Sequence, residues 1–320
     1  MGAKLIIGTR GSKLALWQAG FVAERLRRAY PDLTLEIKRI ATTGDKILDA
    51  PLARIGGKGL FTKELEAALL AKEADLAVHS LKDFPTVFPP GLVLAAVTER
   101  DDPGDALVSP RYGRIENLPP GARIGTSSLR RRAQLLFCRP DLTVVELRGN
   151  VDTRLAKLSA AGLDGVVLAV AGLRRLGRAD AITQILPPEI CLPAAGQGAL
   201  AVEARAGDEA TLALLACLDH APTRRAAAAE RAFLAVLGGG CQVPVGVHGK
   251  VAGTRLELEA AILSPDGRRR VHDRVIGDAG AAADLRTAEE LGRSLAERLL
   301  LAGGREILAE IGVSPEEEEA

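Results

Sequence analysis

The most constraining feature of the sequence is an alternation of short apolar strands with amphipathic helices over its first two thirds. Residues 5–7 form a short apolar strand, and Ser12 is a plausible N-cap for a helix that ends before Pro31. The pattern restarts with a strand at residues 123–125 and a helix at 129–137. Strands that alternate with helices predict α/β domains with parallel-rich sheets, and the restart predicts two such lobes.

A different pattern follows residue 217. Residues 222–237 indicate an Ala-rich helix, and three alternating segments after it indicate an antiparallel sheet with hairpins. We therefore expect three domains: residues 1–98, to which the chain returns at about 196–217; residues 99–195; and a smaller α+β domain at 218–308. The Glu-rich residues 309–320 are expected to form a solvated acidic tail.

The composition is that of an ordinary globular protein, 47% hydrophobic and 26% charged, with a net charge of +1. A signal-peptide pattern and an apolar run of membrane-spanning length are both missing, so we expect a cytoplasmic protein that does not act in a membrane. The four cysteines show no zinc spacing, and we expect no metal site. Three of them, Cys138, Cys191 and Cys217, lie in contexts that predict packing roles.

The starts of the two lobes share a local pattern. Thr9 leads through Arg10 and Ser12 into a helix, and Thr126 leads through Ser127 and Ser128 into another. Each pattern places backbone N–H groups and hydroxyls at a helix N-terminus, where anions bind. Either Ser could be a cap and nothing more, but the repetition favours two anion sites facing a central cleft.

Polar residues also end the strand at residues 75–80. Ser80, Lys82 and Asp83 are predicted at its carboxyl end, where open α/β sheets bind ligands. Asp83 could instead be an ordinary turn residue and Lys82 a solvated charge. His79 lies within the strand, and we expect it to be structural.

Arginines cluster in two further segments. Arg130 and Arg131 precede Arg132 on one predicted helix, so their side chains point in different directions and not all three reach one ligand. Arg148 is predicted to end a strand and to face the cleft, and Arg154 follows it. A solvated basic face is the alternative, and so is a nucleic-acid site, although only 3% of residues are aromatic.

Three glycine-rich segments complete the set. Residues 44–59 fit a mobile lid that carries Lys58, or a plain surface loop. Residues 193–198 contain Gln197 among small residues, which permit close backbone approach. Three glycines before Cys241 leave that thiol on an uncluttered loop, a moderate signal for a reactive cysteine.

Taken together, these motifs resemble the hydroxymethylbilane synthase (porphobilinogen deaminase) family. They occur in family order over residues 4 to about 305: Thr9-Arg10-Gly11-Ser12, Gly57-Lys58-Gly59-Leu60-Phe61, His79-Ser80-Leu81-Lys82-Asp83, Gly125-Thr126-Ser127-Ser128-Leu129-Arg130-Arg131, Arg148-Gly149-Asn150, 193–198 and Gly239-Gly240-Cys241-Gln242-Val243-Pro244. The resemblance implies two lobes like type II periplasmic binding proteins, a central cleft and a smaller third domain. It also implies a monomer.

The resemblance further implies the chemistry. Four porphobilinogen molecules would be condensed head to tail, with loss of ammonia, on a dipyrromethane cofactor in thioether linkage to Cys241, and hydrolysis would release hydroxymethylbilane. Asp83 would be the catalytic carboxylate. The residues implied in binding cofactor and substrate are Arg10, Ser12, Gln18, Lys58, Ser80, Lys82, Thr126, Ser127, Ser128, Arg130, Arg131, Arg148, Gly149, Asn150, Arg154, Arg175 and Gln197.

Two other function classes stay open at this point. A non-catalytic module that binds an anionic solute between two lobes would carry no covalent adduct. A nucleic-acid binder would show affinity that falls steeply with salt. The family reading expects porphobilinogen as the substrate, with no nucleic-acid partner.

Overall fold

The computed structural model describes residues 4–46, 62–238, 243–280 and 284–313. The chain divides into two compact units, of which the first comprises residues 1–100 and 199–224 and the second residues 101–198 and 225–320. The division into three domains expected from the sequence stays a prediction.

The first unit is an α/β fold built on five strands. Its strands are β1 (Lys4–Thr9), β2 (Thr34–Arg39), β3 (Leu76–Ser80), β4 (Leu92–Val97) and β10 (Leu200–Arg205). Its helices are α1 (Lys13–Ala29), α2 (Thr43–Lys46), α3 (Lys63–Leu70) and α7 (Glu209–Leu215), with 3₁₀ turns at Leu81–Asp83 and Ala216–Leu218.

The sheet of the first unit has the strand order β2-β1-β3-β10-β4. β1 pairs in parallel with β2 and with β3, whereas β10 is antiparallel to both of its neighbours. Leu26 on α1 packs in one core with Ile7 of β1 and Val202 of β10, and all three are fully buried. The buried stripe of α1 therefore fixes that helix over the sheet, with its N-terminus beside the carboxyl end of β1.

The second unit contains a second α/β fold. Its strands are β5 (Asp105–Val108), β6 (Arg123–Gly125), β7 (Thr143–Val145), β8 (Gly165–Ala169) and β9 (Gln184–Leu186). Its helices are α4 (Leu129–Cys138), α5 (Val151–Ala160) and α6 (Val170–Arg175), with 3₁₀ turns at Ile115–Asn117 and Ala179–Ala181.

The second sheet repeats the topology of the first. Its order is β7-β6-β8-β5-β9, with β6 parallel to β7 and β8, and with β5 antiparallel to β8 and β9. The expectation of two α/β lobes is confirmed, but half of the strand pairings in each sheet are antiparallel. In each sheet the antiparallel pairings belong to one strand, β10 in the first and β5 in the second, which runs opposite to both of its neighbours.

The second unit also contains an antiparallel sheet with helices. Its strands β11 (Val245–Ala252), β12 (Arg255–Leu263) and β13 (Arg270–Asp278) follow one another in the sheet. Its helices are α8 (Ala221–Val236), of which residues 221–224 belong to the first unit, α9 (Leu285–Leu299) and α10 (Arg305–Ala309), with a π-type turn at Leu300–Gly304. Phe233, Leu258 and Leu295 are fully buried in their shared core, which confirms the α+β expectation for this part of the chain.

Across the described ranges, the structure contains no helix that is both long enough and apolar enough to cross a membrane.

Candidate active site

The first unit carries an open pocket where β1 and β3 end and α1 begins. It brings together five of the residues expected to act in the site, which are Arg10, Ser12, Gln18, Ser80 and Asp83. Leu14, Ala15, Thr62, Val78 and His79 complete its lining.

The N-terminus of α1 forms one wall of this pocket. Ser12 is the N-cap, and its hydroxyl accepts a hydrogen bond from the Ala15 N–H (3.2 Å). Gln18, one turn further on and 3% exposed, donates to the Ser80 hydroxyl at the end of β3 (2.7 Å). The predicted cap is confirmed, and the Gln18–Ser80 bond ties the helix to the strand beneath the pocket.

Asp83 lies on a short turn that follows β3. The Leu81 N–H at the start of this turn donates to the Ala199 carbonyl (3.1 Å), and the Phe84 N–H at its end donates to the Leu81 carbonyl (3.1 Å). Both Leu81 and Phe84 are buried, whereas the Asp83 side chain is exposed and Lys82 is half-buried. Two anchored apolar residues thus present a carboxylate to the pocket.

Beneath this turn, His79 forms a buried pair with Glu203. A hydrogen bond of 3.0 Å joins His79 Nε2 on β3 and Glu203 Oε2 on β10. The His79 ring also packs against Phe84, with 4.9 Å between the ring centroids. His79 is therefore partnered within the sheet, as expected for a structural histidine.

The second unit presents the matching helix N-terminus at α4. The Ser128 hydroxyl caps this helix by accepting from the Arg131 N–H (3.4 Å). Thr126 is buried and its hydroxyl accepts from the Ser128 N–H (3.2 Å), whereas the Ser127 side chain is exposed. The local similarity between the two lobes, noted in the sequence, therefore extends to their helix caps.

Arg130 and Arg131 both bind an internal carboxylate, Asp105. Arg130 Nη1 donates to Asp105 Oδ2 (2.6 Å), and Arg131 donates to Asp105 Oδ1 from Nε (3.0 Å) and Nη2 (2.7 Å). The Gln197 amide donates to the same carboxylate (3.0 Å). Asp105 is fully buried at the start of β5, and each arginine is 5% exposed.

The cluster of Asp105, Arg130 and Arg131 contains more positive than negative charge. The two guanidinium groups hold the pKa of Asp105 far below its usual range against the opposing effect of burial, and Asp105 raises the pKa of Arg130. Two cations face one carboxylate, so the buried cluster of Asp105, Arg130 and Arg131 carries an excess of one positive charge. Arg132 is exposed and takes no part, in agreement with the expectation that these arginines diverge.

A third helix N-terminus carries the next group of predicted residues. Asn150 caps α5 by accepting from the Thr153 N–H (2.9 Å), and Arg154 Nε donates to the Gly149 carbonyl (2.8 Å). Gly149 has φ +117°, and a Cβ there would lie 2.6 Å from Thr153, so only glycine fits.

The prediction that Arg148 ends a strand is wrong: β7 ends at Val145, and Arg148 lies half-buried in the loop before α5.

Gln197 and Arg175 have structural partners in the segment at residues 193–198. The buried Gln197 amide donates to the Pro103 carbonyl (2.6 Å) as well as to Asp105. Arg175 donates from Nη2 to the Gly198 carbonyl. Burial lowers the pKa of Arg175. These contacts fix the segment inside the second unit.

The cysteines differ in part from expectation. Cys191 is buried, but Cys138 and Cys217 are exposed, so the prediction that all three fill apolar contexts is wrong for those two. The partial burial of their sulfur atoms still raises the pKa of both thiols. Cys241 and Lys58 lie outside the described residues, as does most of the lid expected at residues 44–59.

Sequence reasoning missed Asp105 and Glu203, the two buried acids on which these clusters depend. Each one stands in or beside an apolar strand, in Asp105-Ala106-Leu107-Val108 and in Leu200-Ala201-Val202-Glu203. A charged residue inside an apolar strand is a usable signal, because buried charges in proteins are almost always paired.

Comparison with known protein families identifies the chain. Residues 5–213 match the family model described as "Porphobilinogen deaminase, dipyromethane cofactor binding domain". Residues 225–301 match the model of the porphobilinogen deaminase C-terminal domain. The chain belongs to the porphobilinogen deaminase family. The resemblance carried by the motifs is thereby confirmed, as are the transferase class and the dipyrromethane cofactor.

Curated porphobilinogen deaminases match the chain over nearly its whole length. One from Pelotomaculum thermopropionicum is 54% identical over 308 residues, covering 96% of this chain and 97% of that protein. One from Trichlorobacter lovleyi is 53% identical and covers 96% of each chain.

Solved structures give more distant matches. The methionine binding protein MetQ is 13% identical, with a TM-score of 0.43 over 67% of this chain and 89% of that one. A periplasmic VFT2 domain of Bordetella pertussis BvgS is 16% identical, with a TM-score of 0.38 over 68% of this chain and 86% of that one.

The described residues of this porphobilinogen deaminase family member fit an anionic cofactor. A dipyrromethane bears acetate and propionate groups, which are carboxylates at neutral pH. The excess positive charge of the Asp105 cluster and the capped N-termini of α1, α4 and α5 are all environments that favour carboxylates. Each unit, taken by itself, therefore carries groups that suit the cofactor named by the family model.

Proposed function

We propose that the chain is a hydroxymethylbilane synthase that works as a cytoplasmic monomer, without a membrane or nucleic-acid partner. It condenses four porphobilinogen molecules head to tail, releases one ammonia at each step and finally releases the linear tetrapyrrole by hydrolysis. The observation that carries this proposal is the pocket in which Asp83 meets Arg10, Ser12 and Ser80. That pocket combines one exposed carboxylate with donors for the carboxylates of an anionic substrate.

Cys241 is the proposed attachment point of the dipyrromethane. The cofactor, once bound, supplies the nucleophilic α-carbon of its terminal pyrrole. Burial raises the thiol pKa of the other three cysteines, which disfavours the thiolate at each of them. The glycine-rich sequence before Cys241 supports an accessible thiol there.

The carboxylates of cofactor and growing chain are assigned to the basic and hydroxyl residues of both units. In the first unit, Arg10, Ser12, Gln18, Lys58, Ser80 and Lys82 take this role. In the second unit, the role falls to Thr126, Ser127, Ser128, Arg130, Arg131, Arg148, Gly149, Asn150, Arg154, Arg175 and Gln197. Each added ring brings two further carboxylates, which explains why the site needs more cations than its own acids neutralise.

Asp83 is the proposed catalytic residue. Porphobilinogen becomes a cation, an azafulvenium, when ammonia leaves its aminomethyl arm. A fixed carboxylate directed at this developing positive charge lowers the barrier, since the enzyme has already oriented it. The same carboxylate can accept hydrogen bonds from pyrrole N–H groups and carry the proton that the new bond displaces.

Substitution of Asp83 tests this role. Asp83→Asn and Asp83→Ala should abolish porphobilinogen consumption, because both remove the charge. Asp83→Glu should retain a small residual rate, since it keeps the charge but moves it, and a displacement near 1 Å can cost on the order of a hundredfold. The measurement is the rate of porphobilinogen consumption, with circular dichroism to show that each variant is folded.

Asp32 provides a matched control. It is an exposed aspartate in the turn before β2, and Asp32→Asn should leave turnover unchanged. Near-normal turnover by Asp83→Asn would show that the charge is not required and would move the catalytic role to another group.

A further inference from the structure

Glu203 and His79 form a buried polar pair that the proposed chemistry does not use. Glu203 is fully buried and His79 is 7% exposed. The Oε1 atom of Glu203 is buried and has no hydrogen-bond partner among the described residues, while its Oε2 atom bonds His79. A carboxylate in this state costs more folding free energy than an apolar side chain of the same size. Stability alone therefore does not account for the pair.

The pairing of β10 with its other neighbour, β4, is irregular beside Glu203. The register between β10 and β4 shifts at this point, with Val202 opposite Ala96 and Glu203 opposite Leu94. Such a bulge changes the direction of a side chain and is over-represented beside active sites. The extra residue is Ala95 on β4, whereas β10 keeps an unbroken register with β3 at Glu203.

The pair of His79 and Glu203 contacts the turn that carries Asp83. His79 packs against Phe84, which follows Asp83 and closes the turn through its N–H bond to Leu81. The other end of the turn is held by the Ala199 carbonyl, immediately before β10. The segment from Ala199 to Glu203 thus supports both ends of the turn, through the Ala199 carbonyl at one end and through the bond of Glu203 to His79 at the other.

We propose that Glu203 is a positioning residue, which orients the His79 ring through a hydrogen bond and so fixes Phe84 and the Asp83 carboxylate. This inference rests on the proposed catalytic role of Asp83. The hydrogen bond supplies a direction that apolar packing cannot, and this explains why a costly polar pair is kept beneath the pocket.

Three variants separate positioning from simple packing. Glu203→Gln keeps the length and a carbonyl oxygen for His79, so kcat should stay close to the wild-type value. Glu203→Leu keeps the volume but removes the acceptor, and kcat should fall about tenfold or more, with KM nearly unchanged, as expected for a small displacement of a catalytic group. The double variant Glu203→Leu with His79→Phe forms an apolar pair that should fold at least as well as the wild type yet remain slow.

Each variant is purified with its cofactor, and its kcat and KM for porphobilinogen are measured. Hydrogen exchange of the Leu81 and Phe84 amides supplies a second readout, and both should exchange faster in Glu203→Leu and in the double variant. Gln184→Leu is the control. It removes a buried polar side chain in the second unit, whose amide oxygen accepts from the Ile115 N–H (2.8 Å), and it should lower stability without changing kcat.

Wild-type kcat in the folded double variant would overturn the positioning role, as would a Glu203→Gln variant as slow as Glu203→Leu. If Glu203→Leu fails to fold, the double variant carries the same test. A wild-type protein that does not consume porphobilinogen would instead refute the proposed function, so the two failures are distinguishable.

Discussion

Removal of the Asp105 charge is expected to be among the most destabilising single changes in the second unit. The Asp105 carboxylate is fully buried and accepts from Arg130, from Arg131 and from Gln197 at 2.6–3.0 Å. Asp105→Asn would leave two buried guanidinium groups without a counter-charge and would turn an amide N–H toward them. Loss of one partner from a buried ion pair costs about 3–5 kcal/mol, and we expect a loss of that size.

Urea unfolding at neutral pH measures this loss, and Asp141→Asn is the matched control. Asp141 makes a similar two-bond contact with Arg139 (2.8 and 2.7 Å), but its side chain is 37% exposed. A pair at the surface contributes much less than a buried one, so the control should lose little. A loss in Asp105→Asn no larger than in Asp141→Asn would refute the reasoning that the buried cluster depends on this charge.

The pH dependence supplies an independent check of the same prediction. Because the arginines hold the pKa of Asp105 far below its usual value, the charge contributes stability that is fully present above the unfolded pKa of about 3.9. That contribution is lost as the pH falls from there toward the folded pKa. The stability difference between wild type and Asp105→Asn should therefore be constant near neutrality and should shrink below about pH 4.

Two further predictions concern the loop before α5 and the exposed face of α4. Arg148→Leu should block cofactor assembly or chain elongation, whereas Arg132→Ala should change neither. Intact mass measures cofactor assembly, and porphobilinogen consumption measures elongation. If Arg132→Ala lost as much activity as Arg148→Leu, the exposed position assigned to Arg132 on α4 would be wrong. Gly149→Ala should lower the free energy of unfolding by about 1–3 kcal/mol, because φ is +117° and the new Cβ would meet Thr153 at 2.6 Å. Urea unfolding checks the second prediction, with Gly172→Ala as the control, where the nearest neighbour lies at 3.9 Å.

The helices and most parallel strands could be predicted from the sequence, since their signals are local. Ser12 and Ser128 stand where helices begin, and apolar periodicity marks the buried stripe of α1. The antiparallel placement of β10 could not be predicted this way. Its position between β3 and β4 depends on residues more than a hundred positions away, and nothing local encodes that pairing.

The candidate site likewise contains residues that the sequence predicts and contacts that it does not predict. Asp83 and the cap residues follow from their places at strand and helix ends, which the sequence shows. The internal partner of Arg130 and Arg131 does not follow, because Asp105 is 25 positions before Arg130 and meets it only through the fold. Sequence patterns indicate which residues carry charge, but the fold decides which of those charges already have a partner.

The most direct test of the central claim is the intact mass of the purified protein before and after porphobilinogen is added. We predict a mass above that of the sequence by one dipyrromethane, followed by stepwise additions of one porphobilinogen less one ammonia. Cys241→Ser should remove both, whereas substitution of the exposed Cys138 and Cys217 should remove neither. An unmodified mass in a preparation that consumes porphobilinogen, or an excess that survives Cys241→Ser, would contradict the account.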